Sequence, residues 1–84
     1  MKNNQDRINA LRVRLGDLDV ERAEYKRAVE SACWDVRRYF PKLTEEQQEE
    51  VTRLIVSFYR INLLKNEHEE IQINAELTER GASA

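Results

Sequence analysis

The chain holds one histidine and one cysteine, and these are the first side chains to weigh for metal binding or catalysis. His68 lies in Lys65-Asn66-Glu67-His68-Glu69-Glu70. Di-iron helical bundles place a Glu three residues before a ligating His on each of two helices. Here that position is Lys65 and no second His exists, so His68 reads as a surface or seam-edge residue. Zinc sites draw on several His or Cys ligands, and this chain offers two candidates in all. Cys33 has no adjacent base to generate a thiolate, and beside Trp34 it reads as a partly buried, inert small residue. There is no Gly-rich phosphate loop, no Ser/His/Asp set and no defensible pair of facing carboxylates. No enzyme, metal or cofactor is expected.

Two cationic groupings remain. Arg37, Arg38 and Lys42 interleave with Trp34, Tyr39 and Phe40. Basic residues among aromatics suit single-stranded nucleic acid, by stacking and phosphate contacts. They equally suit the end of a helix, where the dipole favours cations and aromatics close a bundle. Trp and Arg are also enriched where protein interfaces concentrate their energy, which makes Trp34, Arg37, Arg38, Tyr39 and Phe40 the candidates for partner contact. Arg7, Arg12 and Arg14 form a second basic group.

The elements that position these residues are two long helices. Pro41 removes an amide and disfavours helical geometry at Phe40. Thr44-Glu45-Glu46-Gln47 is a capping-box pattern, with Glu45, Glu46, Glu49 and Glu50 loading the first turns with negative charge. Gly81 suits a C-terminal cap. The reading is a single all-α domain over 1–84: helices at about 4–40 and 45–80, a hinge at 41–43, and a frayed tail at 81–84. Arms of about 54 Å each, at 1.5 Å per residue, make an antiparallel hairpin pairing residue i with about 85 − i.

The first helix carries a heptad seam. Its a positions are Ile8, Leu15, Arg22, Val29 and Val36, and its d positions are Leu11, Leu18, Tyr25, Ala32 and Tyr39. Gly16 costs about 1 kcal/mol against Ala, and a break there would give a three-helix alternative. The second helix is richer. One stripe runs Val51, Leu54, Phe58, Ile61 and continues in register to Lys65, His68 and Gln72. Another runs Val56, Tyr59, Leu63, Ile73, Leu77. One partner helix covers a stripe of about 100° and cannot bury both. The first helix also has Val13, Val20 and Trp34 to spare opposite its seam. A second copy is the economical partner, giving a dimeric four-helix bundle whose core would draw on Val51, Ile55, Val56, Phe58, Tyr59, Leu63, Ile73 and Leu77.

Arg22 sits in the seam, and the pairing rule sets Lys65 opposite about residue 20. They read as a polar layer with His68 and Gln72 that fixes register, with Glu76 and Glu79 further along, as residues that face water where the register slips, or as a cationic pocket for a small anion. The pattern Leu11-Arg12-…-Leu15-…-Asp17-Leu18-…-Arg22 resembles, in architecture alone, the cation-bearing first helix of all-helical chorismate mutases. That resemblance implies a small-anion-binding helical enzyme. The Arg-Glu feature of that family's second helix has no counterpart here, and the chain offers two arms in place of three helices.

Composition bounds these readings. The 84 residues include 41 Ala, Glu, Lys, Leu or Arg, close to the half that accompanies long helices, and 21 Leu, Ile, Val or Phe, enough for a small core. No apolar run exceeds three residues, so no membrane span is expected, and a lone cysteine without a secretory signal suggests a cytoplasmic setting. The formal charge of −2 divides into +3 over residues 1–43 and −5 over 44–84. That asymmetry suits two halves packing on each other, or a basic face offered to an acidic partner. The function expected is a non-catalytic protein–protein interaction module, an adaptor, assembly factor or small inhibitor, binding itself or a larger protein. The alternative is a dimeric nucleic-acid-binding protein using the basic residues of its first helix.

Overall fold

Both helices begin on side-chain caps. The computed structural model describes residues 3–82, in which Asn3 accepts a hydrogen bond from the Asp6 amide at 2.9 Å and starts α1, Asn4–Tyr39. Thr44 starts α2, Glu45–Glu79, through the expected reciprocal pair: the Gln47 amide donates to Thr44 Oγ1 at 3.2 Å and the Thr44 amide to Gln47 Oε1 at 3.0 Å. Between them Phe40 leaves helical geometry at φ −126° and ψ 56°, before Pro41. Gln48 reaches back to the Phe40 carbonyl at 3.0 Å, so the reversal is tied to the helix that follows it.

The α2 terminus corrects one expectation. Gly81 takes φ 78°, its amide donates to the Thr78 carbonyl at 3.1 Å, and the Ala82 amide donates to the Leu77 carbonyl at 2.8 Å. These two bonds make a Schellman motif, and Ala82 packs against the core, so residues 81–82 are fastened where fraying was expected. Ser83 and Ala84, the rest of the expected frayed tail, lie outside the described residues.

Gly16 does not divide α1, which runs unbroken through it, so the three-helix alternative falls. A Cβ added there meets nothing within 4 Å. Gly16→Ala is therefore expected to stabilise the fold by about 0.5–1 kcal/mol, the helix-propensity difference, read as a higher urea midpoint at unchanged slope.

The helices pack antiparallel in a body of 57 × 20 × 16 Å. Arg7 meets Glu76, Arg14 meets Glu69 and Tyr25 meets Tyr59, within two residues of the 85 − i rule. The α1 seam faces inward: Ile8, Leu11, Leu18, Ala32 and Val36 are buried, and Leu15, Arg22, Tyr25 and Val29 are half-buried. Tyr39 is the exception. It is the last helical residue and stands exposed, with the Arg38 guanidinium 5.7 Å from its ring centroid.

On α2 the inward line is Ile55, Tyr59, Asn66, Ile73 and Leu77. Ile73 and Leu77 close the open end against Ile8, Leu11 and Leu18, so they belong to the hairpin's own core and not to a contact between chains. Val51, Ile55, Val56, Tyr59 and Leu63 are half-buried, and of the residues expected at such a contact Phe58 alone is fully exposed. The stripe through Leu54, Phe58 and Ile61 stays exposed, with Leu54 and Phe58 bordering α1 and Ile61 further out. The reason lies further along the helix. Turning that stripe inward would bury Lys65, His68 and Gln72, all of which are exposed, at the cost of desolvating polar groups and a charge.

Candidate interaction surface

A polar layer crosses the middle of the hairpin. Asn66 is buried at 4% exposure and donates from Nδ2 to the Leu18 carbonyl at 2.9 Å. Its Oδ1 accepts from Arg22 Nε at 3.1 Å and Nη2 at 3.0 Å, and the same guanidinium pairs with Glu70. Arg22 is thus the seam residue the heptad predicts, but its partners are Asn66 and Glu70. Lys65, His68 and Gln72 stand outside the layer. The Arg22 guanidinium thus commits its Nε and Nη2 to an amide and a carboxylate of the same hairpin, and it stands as part of a polar layer between the helices.

The charge asymmetry of the two halves is spent across the hairpin. Arg7 grips Glu76 with Nε at 2.7 Å and Nη2 at 2.8 Å, and Arg80 donates to the same carboxylate at 2.7 Å. Arg14 grips Glu69 at 2.6 and 3.0 Å and also reaches Glu21 at 3.0 Å. Bidentate Arg–carboxylate bonds of this kind favour the ionised forms. The Arg7 hydrogen bond, followed by that of Arg80, holds the Glu76 carboxyl at about 2, and the Arg14 hydrogen bond lowers that of Glu69. Pairs this accessible to solvent add little to stability. Their larger effect is to pair Arg7 and Arg14, two cations of α1, with carboxylates of the same chain.

What stays open is apolar. Leu54, Phe58, Ile61, Leu64 and Ile71 are 67, 61, 54, 65 and 67% exposed. Their spacing of four, three, three and seven keeps them on one side of α2 over about 26 Å. A groove of about 390 Å³ runs beside this line, where Leu54 and Phe58 rise over the small Ala28 and Ala32 of α1, with Asp35 at its edge. Val13, Val20 and Trp34 are also exposed, but they are spaced seven or fourteen apart and make isolated points in place of a stripe.

At the hinge Trp34, Arg37, Arg38, Tyr39 and Phe40 are all exposed, as a contact surface requires. They do not share one face: Cys33 and Arg37 turn toward a cleft of about 310 Å³ against Gln48, Thr52 and Arg53, while Tyr39 and Phe40 line another with Pro41 and Lys42. Cys33 is exposed, a correction to the half-buried position its apolar character suggested. Among the described residues no three His, Cys, Asp or Glu side chains are grouped as a metal would need, and no helix is long and apolar enough to cross a membrane.

Of the apolar line on α2, Leu54, Phe58 and Ile61 are legible in the sequence as part of one stripe; Leu64 and Ile71 do not belong to that stripe, and Val51, which does, is half-buried. The sequence does not single out the inward Asn66, since an Asn among Lys65, Glu67 and His68 looks like solvated surface until its register is known. No known protein family, curated protein or solved structure matches the chain.

Proposed function

We propose that the chain is a non-catalytic helical interaction module, of the adaptor, assembly-factor or inhibitor kind, that docks through the outer face of α2. One observation carries this reading. The hairpin fills its core with one line of α2 and leaves a second set of five large apolar side chains in water, four of them within residues 54–64. Contiguous exposed apolar surface of that kind marks interaction sites. The exposed Trp34, Arg37, Arg38, Tyr39 and Phe40 offer separate contacts at the hinge end.

Photo-crosslinking in the cells that make the protein tests the reading. A benzoylphenylalanine at position 61 is expected to give a discrete protein adduct, and one at the exposed, charged position 26 is not. Equal labelling at the two positions, or none at 61, would refute it. Nucleic-acid binding, the competing reading, requires an affinity that falls steeply with salt and is lost on Arg37→Glu with Arg38→Glu.

A further inference from the structure

We infer that the occupant of the outer face of α2 is a second copy of this chain, seated antiparallel with its two-fold axis between Asn62 and Leu63. This rests on the reading of that face as a docking surface and names the partner. Read as a heptad, the face places Leu54, Ile61 and His68 at a and Ser57, Leu64 and Ile71 at d. In an antiparallel pair each a meets a d of the other helix. A single register satisfies all three layers: Leu54 with Ile71 of the second copy, Ile61 with Leu64, and His68 with Ser57. The apolar layers flank the axis, and the polar layer lies where both residues are exposed in the hairpin.

The flanking charges select this register and direction. Arg60 falls beside Glu67 of the second copy, and by symmetry the pair occurs twice. Lys65 falls beside Phe58 of the second copy, where an ammonium can sit against the ring. A parallel pair would instead set Arg60 against Lys65, like charge on like, twice. Arg60, Lys65 and Glu67 are exposed, and none forms a salt bridge among the described residues, whereas Arg7, Arg14, Glu69 and Glu76 are already engaged. The hairpin leaves unpaired the very charges that a second copy complements.

The shape of the assembly also follows. At about 100° per residue, the centre of the outer face lies about 180° around α2 from the line that packs on α1. Two chains therefore join through α2 alone, with each α1 on the outside. The four helices make an open layer and not a closed bundle around one shared core.

Sedimentation equilibrium of the full chain tests this. Dimers of twice the 10.0 kDa chain mass are expected at micromolar concentration. Arg60→Glu and Glu67→Arg, both on exposed side chains, are each expected to weaken the dimer about tenfold, as two attractions become two repulsions, and the double swap to restore it. Circular dichroism should show all three variants as helical as the parent. A monomer up to about 1 mM, a dimer that Arg60→Glu tightens as the parallel pairing requires, or a double swap that fails to rescue would each overturn the proposal. The docking reading survives any of these if position 61 still crosslinks to another protein, and it fails separately if position 61 labels nothing.

Discussion

Leu77→Ala is expected to lower the stability of the hairpin by about 3–5 kcal/mol, the upper part of the range for a fully buried Leu truncated to Ala. Leu77 is 0% exposed and closes the open end of the molecule with Ile8, Leu11, Leu18 and Ile73. Two effects add there. The side chain's transfer from water is lost, and a cavity opens that two rigid helices are poorly placed to collapse. The site also anchors the Schellman turn, since the Leu77 carbonyl accepts from the Ala82 amide and Ala82 packs on the same cluster. A domain of this size has about 5–15 kcal/mol in total, so the variant gives up a large fraction of its stability. Urea denaturation followed by circular dichroism, at one fixed protein concentration, reads the effect. Val13→Ala, an apolar truncation at a 66% exposed position of α1, should stay within about 0.5 kcal/mol of the parent. Equal costs at the two positions would mean that the terminal core is not where the stability lies.

Asn66→Ala carries the second-largest effect, about 1–3 kcal/mol, for a different reason. The lost atoms are polar, and the damage is to what they satisfied. The Leu18 carbonyl loses its inter-helix donor, and the Arg22 guanidinium keeps only its carboxylate partners in a half-buried site. The Arg22→Ala/Asn66→Ala double variant should cost about 1 kcal/mol less than the two singles summed, because each single variant already breaks the shared bonds. Strict additivity would show that Asn66 acts by filling space alone. Asn66→Leu separates stability from specificity. It fills the volume with apolar surface, but it removes the buried bond from Asn66 to the Leu18 carbonyl, which α2 can make with α1 in a single register.

Much of this molecule was legible from short stretches of chain. The end of α1, the hinge and the start of α2 follow from Pro41, Thr44 and Gln47, because breakers and caps act within a few residues of themselves. The α1 seam was legible for a related reason: a single heptad line dominates the helix, so its direction needs no knowledge of the partner. Gly16 could be misjudged because a helix's tolerance for one glycine depends on the packing on either side of it. Asn66 was hidden because polarity at one position does not reveal which way that position faces.

The sequence by itself determined two long helices, their ends, their antiparallel register and the inward face of the first, all set by local chemistry or by one unambiguous period. Only the tertiary structure decided which of the two apolar lines of α2 turns inward. The two lines are alike over residues 51–64, so local pattern cannot rank them. They differ beyond it. One leads to Ile73 and Leu77, which meet Ile8, Leu11 and Leu18, and the other leads to Lys65, His68 and Gln72. A helix turns as a rigid body, so the packing of its far end settles the orientation of its middle, and the line through Leu54, Phe58 and Ile61 is left facing water.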